Sequence, residues 1–235
     1  MCGRYTLTTR RSDAIQAKLA ETLAVDLPPS DSRFERFNIA PTQEVLAAVD
    51  DRDGRRIEHL RWGLLPHWAK ELNTRFSMIY ARAETLDQRP AYRGLVARSH
   101  TRCLILADGW YEWQRPEDPR QPKRPLHLSL AGGGPFCFAG LWTRWSSPDG
   151  QVVSSCTIIT CDANELVRPI HDRMPVVFAD PELWQTWLHP SLDTAAAREL
   201  LAPVPAQGMQ VRPASPVVNS ARHEGPDCLA LPAAA

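Results

Sequence analysis

PFCFAGLWTRWSSPDGQVVSSCTIIT, residues 135–160, is the stretch that decides the fold. Two apolar runs rich in aromatic and β-branched residues flank SSPDG, a Ser/Pro/Asp/Gly cluster of the kind that reverses a chain. The reading is two strands joined by a turn. The same pattern extends upstream through RCLILAD (102–108), WYEWQ (110–114) and PLHLSL (125–130), with AGGGP (131–135) as another turn, and downstream to MPVVF (174–178). Nearer the N-terminus, EVLAAVD (44–50) and RRIEHLRW (55–62) meet across the polar DDRDG and form a hairpin. Strands therefore dominate the middle of the chain.

Helices are expected at the two ends. Ile15, Leu19 and Leu23 recur every four positions over about residues 12 to 24, and Asp13 with Gln16 has the form of a capping box. A proline- and serine-punctuated connection, residues 28–43, follows. Asp180 and Pro181 open a second helix with Leu183, Trp184, Trp187 and Leu188 on one face, and a third runs over about 193 to 202 and stops at Pro203. These elements predict a single α+β domain over residues 1–228, built on a mainly antiparallel, barrel-like sheet flanked by helices, with residues 229–235 as a disordered tail.

Composition narrows the function classes. The 27 basic residues equal the 27 acidic ones, so no global positive field favours nucleic acid, and any such site must be local. Of the basic residues 24 are arginine, the side chain suited to bidentate phosphate contacts; codon usage in a GC-rich genome is the plain alternative. No apolar run long enough to span a membrane occurs and no signal peptide opens the chain, which points to a cytosolic protein with no membrane partner. Six cysteines without a C-x-x-C pair read as thiols, with Cys103, Cys137 and Cys156 filling the core. A zinc site from Cys156, Cys161 and a histidine is a minor alternative.

Several segments carry more polar and aromatic side chains than a sheet requires. Cys2 stands directly behind the initiator methionine, before any element that would bury it, and cysteine is more often retained there for reactivity than for packing. In WYEW, strand alternation sets Glu112 opposite Tyr111 and Trp113. A desolvated carboxylate suits proton transfer near neutrality, whereas an edge-strand glutamate on the surface is the bland reading. IHDRMP places His171 and Arg173 at one junction, either as a structural hydrogen-bonder beside an arginine or as an anion site. RWGLLPHW holds Trp62 and Trp68, for core packing or for stacking on unpaired bases, and YARAET holds Arg82 and Glu84, for a phosphate contact or a solvated ion pair.

The order of these segments resembles the SRAP family, the SOS response-associated peptidases that process abasic sites, along nearly the whole chain. MCGRY is similar to the family's M-C-G-R-[FY], FNIAPTQ to N-x-A-P-[TG], WGLLPHW to W-G-[LY]-x-P-x-W, ARAET to N-A-R-x-E-T, LADGWYEW to A-D-G-[FW]-[YF]-E-W, and IHDRMP to I-H-[DN]-R-[MR]-P. The resemblance implies Cys2 as nucleophile, Glu112 as acid/base group and His171 as the third catalytic residue. It implies nucleic-acid contacts by Arg4, Arg82 and Arg173, aromatics near the lesion at Trp62, Trp68 and Trp113, and a proline of the site at Pro41. Tyr80 departs from the pattern, standing where the family carries an active-site asparagine, and Arg222 with His223 replaces a lysine- and asparagine-bearing version.

What this implies chemically is a covalent link to an abasic site in single-stranded DNA by a monomer, with no metal or organic cofactor. Removal of Met1 leaves Cys2 with an amine, titrating at about 7.7–8.0, beside a thiol near 8.5. The amine condenses with the sugar aldehyde and the thiol closes a thiazolidine; autopeptidase and lyase activities are related expectations. Two rivals remain at this stage. One is an amidotransferase of the class that uses a processed N-terminal cysteine, which the missing N-H-R-G-type stretch disfavours. The other is a non-catalytic single-strand binding module in which Cys2 is incidental.

Overall fold

The computed structural model describes residues 3–8, 17–18, 20–25, 35–72 and 78–231. In chain order the strands are β1 (Arg4–Leu7), β2 (Arg36–Ile39), β3 (Glu44–Asp51), β4 (Gly54–Trp62), β5 (Tyr80–Arg82), β6 (Arg102–Ala107) and β7 (Gly109–Gln114). They continue with β8 (Arg124–Leu130), β9 (Phe136–Ser146), β10 (Val152–Asp162), β11 (Arg173–Pro175), β12 (Val177–Phe178) and β13 (Met209–Pro213). The helices are α1 (Arg93–Val96), α2 (Pro181–Leu188) and α3 (Thr194–Glu199).

Five strands close a barrel. β10 pairs with β4, β4 with β3, β3 with β6, β6 with β9, and β9 returns to β10; only the β10–β4 contact is parallel. The two hairpins expected from the turn residues are both present, and Gly54 (φ +91°) and Gly150 (φ +88°) supply the left-handed positions those reversals need. The long apolar runs of β6 and β9 are buried along their length because each has a strand on both sides. Gly140 lets them lie close to β10: a Cβ there would meet Cys103 Sγ at 2.8 Å and the Thr157 carbonyl at 3.1 Å.

A second, wholly antiparallel sheet, ordered β13-β8-β7-β1-β2, lies against the barrel. Trp110 of β7 joins the main core with Phe136 and Phe138, while Tyr111 faces a smaller apolar cluster with Phe37, Ala214, Val218 and Cys228. β7 is thus covered on both faces and flanked by two strands, which removes the edge-strand reading of WYEW.

The α2 helix forms as its sequence dictates. Asp180 accepts a hydrogen bond from the Glu182 amide, Pro181 occupies the first turn, and Trp184, Trp187 and Leu188 are buried. Arg102, fully buried, ties this end to the barrel by donating to the carbonyls of Val96, His189 and Leu192, with its guanidinium 5.7 Å from the Trp187 ring centre. The helix expected over 12–24 lies partly outside the described residues; 17–18 and 20–23 are helical. The third helix is shorter than its pattern suggests, ending at Glu199. Leu229, placed by the sequence reading in the tail, closes a 3-10 turn and packs on the smaller cluster, whereas 232–235 lie outside the described residues. Among the described residues no helix is long and apolar enough to cross a membrane.

Candidate functional site

The site is assembled where β1 enters the second sheet. β1 runs antiparallel to β7 with Arg4 opposite Tyr111 and Tyr5 opposite Trp110, so continuing the ladder by one residue sets Gly3 level with Glu112. Glu112 is 2% exposed. Cys2 is the next residue back from Gly3 and lies outside the described residues. Among the described residues nothing stands within 4 Å of where a Gly3 Cβ would be.

β1 is held in place by a polar network at the β6–β7 corner. The Thr6 hydroxyl donates to Asp108 Oδ1, while Asp108 Oδ2 accepts from the Thr8 amide at 2.9 Å and its hydroxyl at 2.7 Å. His127, from β8, reaches the same Thr6 hydroxyl through Nε2 at 3.1 Å and packs its ring 5.1 Å from that of Tyr111. On the other flank Arg4 donates to Asn38 Oδ1 at 3.0 Å and to the Val218 carbonyl. Asn38, fully buried on β2, donates to the carbonyls of Ser220 and His223 at 2.9 and 2.8 Å, and Glu224 accepts from the amides of Phe37 and Asn38. The C-terminal segment is thereby laced to β2, and Trp113 joins it by donating to Asn219 Oδ1 at 2.7 Å.

A second group gathers at the end of β10. There Arg82 of β5 pairs with Thr160 and Arg173 of β11 with Asp162 on opposite edges of one strand. Arg173 is 6% exposed and its fork is occupied: it donates to both oxygens of Glu84 at 2.7 and 2.8 Å, to Asp162 Oδ1 at 2.6 Å and to the Thr160 carbonyl at 2.8 Å. Burial alone would raise the Glu84 carboxyl, but the hydrogen bonds and charge of Arg173 outweigh it and hold the group below its usual range. A phosphate reaching Arg173 would have to displace these two carboxylates. Arg82, by contrast, is exposed.

His171 sits beside this pair. Its Nδ1 lies 2.9 Å from the Arg173 amide and 2.8 Å from Asp172 Oδ1, two contacts that demand opposite roles, since a lone pair accepts from the amide and only a protonated nitrogen donates to the carboxylate. Desolvation, with a smaller contribution from Arg115, holds the imidazole below its ordinary pKa, and the Asp172 side chain is 85% exposed. The neutral ring accepting from Arg173 is therefore favoured, which fixes its proton on Nε2.

The aromatics divide. Trp68 is 49% exposed, available for stacking, and Trp113 is partly exposed. Trp62 is fully buried, donates to the Ile79 carbonyl and stands edge-on between Tyr5 at 5.4 Å and Tyr80 at 5.9 Å. Of the two readings open for this segment Trp62 has the core-packing one, its indole joining β1 to β5. Tyr80 and Pro41 are partly exposed, and Thr42 beside Pro41 takes a left-handed φ of 73° that a β-branched residue rarely adopts. Tyr80 also helps line a cleft with Trp68, Arg82, Arg89 and Tyr92. Asn38, Asp108, His127 and Glu224 were not singled out by sequence reasoning; Asn38 lies within the FNIAPTQ motif, and that motif was the available signal. Cys103 and Cys156 are buried and their thiols are pushed up by burial, as is that of Cys161, to about 12.

Comparisons with known proteins show the family to which the chain belongs. The chain is 40% identical over 232 residues to the abasic site processing protein YoqW of Bacillus subtilis (strain 168), covering 97% of this chain and 99% of that one. It is 31% identical over 199 residues to the abasic site processing protein HMCES of Xenopus tropicalis, covering 77% of this chain and 58% of that one. A solved structure of a protein from Bacteroides thetaiotaomicron superposes with a TM-score of 0.80 at 21% identity, covering 98% of this chain and 99% of the other, a likeness that bears on the fold alone. The family model described as SOS response associated peptidase (SRAP) matches residues 1–221, and the chain belongs to that family.

Proposed function

We propose that this protein processes abasic sites in DNA by forming a covalent link through Cys2. One observation carries the reading: Glu112 is 2% exposed on a strand flanked on both sides, level with Gly3 and so one residue along the chain from Cys2. A carboxyl buried at that place suits proton transfer, and it stands where the nucleophile's own chain emerges.

The steps balance without a cofactor. Hydrolysis of the Met1–Cys2 bond exposes the α-amine. That amine attacks the aldehyde of the ring-opened abasic sugar, Glu112 moves the protons of the carbinolamine, and water leaves to give the imine. The Cys2 thiol adds to the imine carbon, its proton passes to the nitrogen, and a five-membered thiazolidine closes. His171 assists by protonating the ring oxygen as the sugar opens. Arg4 and Arg82 hold flanking phosphates and Trp68 stacks on an exposed base, an arrangement that favours a single strand over a duplex. Holding amine and aldehyde together supplies much of the acceleration.

Intact mass of the purified protein before and after incubation with a single-stranded oligonucleotide carrying one abasic site tests this reading, with Cys2→Ala alongside. The expected result is loss of Met1 and a gain of the oligonucleotide mass less one water in the wild type alone. A Met1-free protein that binds the strand without an adduct overturns it.

A further inference from the structure

The closing segment carries a cluster of ligating atoms that the reaction above does not use. His223 Nε2 lies 2.8 Å from Asp227 Oδ2, and with Cys228 Sγ the three atoms fall within 4.8 Å of one another. The turn brings them together. Gly225 takes a φ of +154° where a Cβ would meet Asp227 Oδ1 at 2.9 Å, and Pro226 begins the 3-10 turn Pro226–Leu229 that presents Asp227 and Cys228 in succession. The surroundings are graded: Cys228 is buried in the floor, whereas the side chains of His223 and Asp227 are 37% and 55% exposed at the rim. Imidazole, carboxylate and thiolate with one solvent-facing side are the donor set and openness of a four-coordinate site with water as its last ligand.

We propose that His223, Asp227 and Cys228 bind a zinc ion that fixes the turn of the closing segment beside its contacts with β2. Zinc to sulfur at about 2.3 Å and to nitrogen or oxygen at about 2.0–2.2 Å puts tetrahedral ligand atoms roughly 3.3–3.7 Å apart. The His223–Asp227 pair opens by about half an ångström and Cys228 closes in by about 1 Å, both within the reach of side-chain rotation. On binding, the thiol proton goes to solvent and the imidazole proton moves from Nε2 to Nδ1, so one proton is released per ion and no electron is transferred. The ion acts one residue away from the contacts that hold Asn38: the His223 carbonyl accepts from Asn38 Nδ2, and Glu224 accepts from the amides of Phe37 and Asn38. Metal bound there stabilises the support of Arg4 without touching the reacting atoms.

The test uses the full chain carrying Cys2→Ala, since a terminal amine and thiol chelate metals by themselves, and Co²⁺ as a spectroscopic probe. One equivalent of Co²⁺ is expected to bind with a thiolate-to-cobalt charge-transfer band that Zn²⁺ displaces. His223→Ala is expected to weaken binding at least about tenfold, and Cys228→Ala to abolish the band. Should Cys228→Ala fail to fold, His223→Ala and Asp227→Asn at the exposed rim decide. Absence of the band in the Cys2→Ala chain, or a band retained at unchanged affinity in His223→Ala, overturns the proposal.

Discussion

Arg4 Nη1 donates to Asn38 Oδ1 at 3.0 Å, joining residues 34 positions apart in the chain. Asn38 is in turn held by carbonyls of the C-terminal segment, so the first strand, the second strand and the last turns of the molecule form one polar joint. Replacing Asn38 by Ala leaves the Ser220 and His223 carbonyls without this donor and Arg4 without its side-chain acceptor. The expected cost is about 2–4 kcal/mol, read as a lower urea midpoint, with adduct formation slowed at least about tenfold because Arg4 is no longer held. An Asn38→Ala protein with wild-type midpoint and adduct rate would show that the joint is incidental.

Arg82 and Arg173 separate on salt dependence. Arg82 is exposed and a phosphate contact there releases counterions, so Arg82→Ala should flatten the slope of log affinity against log salt for single-stranded DNA by about 0.7. Arg173 is committed to Glu84 and Asp162, and Arg173→Lys keeps the charge while losing the fork. It should lower stability by about 2–3 kcal/mol and leave the salt slope unchanged. A shallower slope in Arg173→Lys at intact stability would return Arg173 to the DNA.

The strands and their turns were legible because each is a local pattern: SSPDG and DDRDG reverse the chain, and the alternation or continuity of apolar residues records whether one face or two are covered. Barrel closure was legible only as a tendency, since it depends on β10 meeting β4 in parallel across some 90 residues of chain, which no local signal encodes. The division between Arg82 and Arg173 was hidden for the same reason. Both are arginines in motif-like segments, and only the fold decides that Glu84 and Asp162 face one of them. Trp62 likewise allowed core packing or stacking from sequence alone, and the barrel uses its volume between Tyr5 and Tyr80.

The pH profile of adduct formation should carry the mark of His171. Desolvation holds its pKa below 6.5, while a free α-amine ordinarily titrates at about 7.7–8.0. If imidazolium opens the sugar and free amine attacks it, the rate is proportional to the product of the two fractions. It rises up to the histidine pKa, stays level as one fraction falls while the other grows, and declines above the amine pKa. In His171→Gln the acid fraction drops out, so the rate should be lower yet climb continuously to the amine pKa and then level off. Adduct rates measured from pH 5 to pH 9 distinguish the shapes, and an unchanged plateau in His171→Gln would remove His171 from the proton path.

Gly109 is where space, more than backbone freedom, limits the site. A Cβ there would lie 2.2 Å from His127 Nε2 and 2.9 Å from the Leu128 carbonyl, closer than atoms in contact can be. In Gly109→Ala the imidazole must swing away from the Thr6 hydroxyl, which loosens the Thr6, Thr8 and Asp108 network that clamps β1 against β7. The expected loss is about 2–3 kcal/mol, with adduct formation falling more than single-strand affinity because the strand leading from Cys2 past Glu112 shifts. Removing the obstruction tests the cause. The double variant Gly109→Ala/His127→Ala frees the space the methyl needs and should recover part of the stability lost in Gly109→Ala, whereas additive losses would place the strain at the Leu128 backbone and leave His127 with no steric part in holding β1.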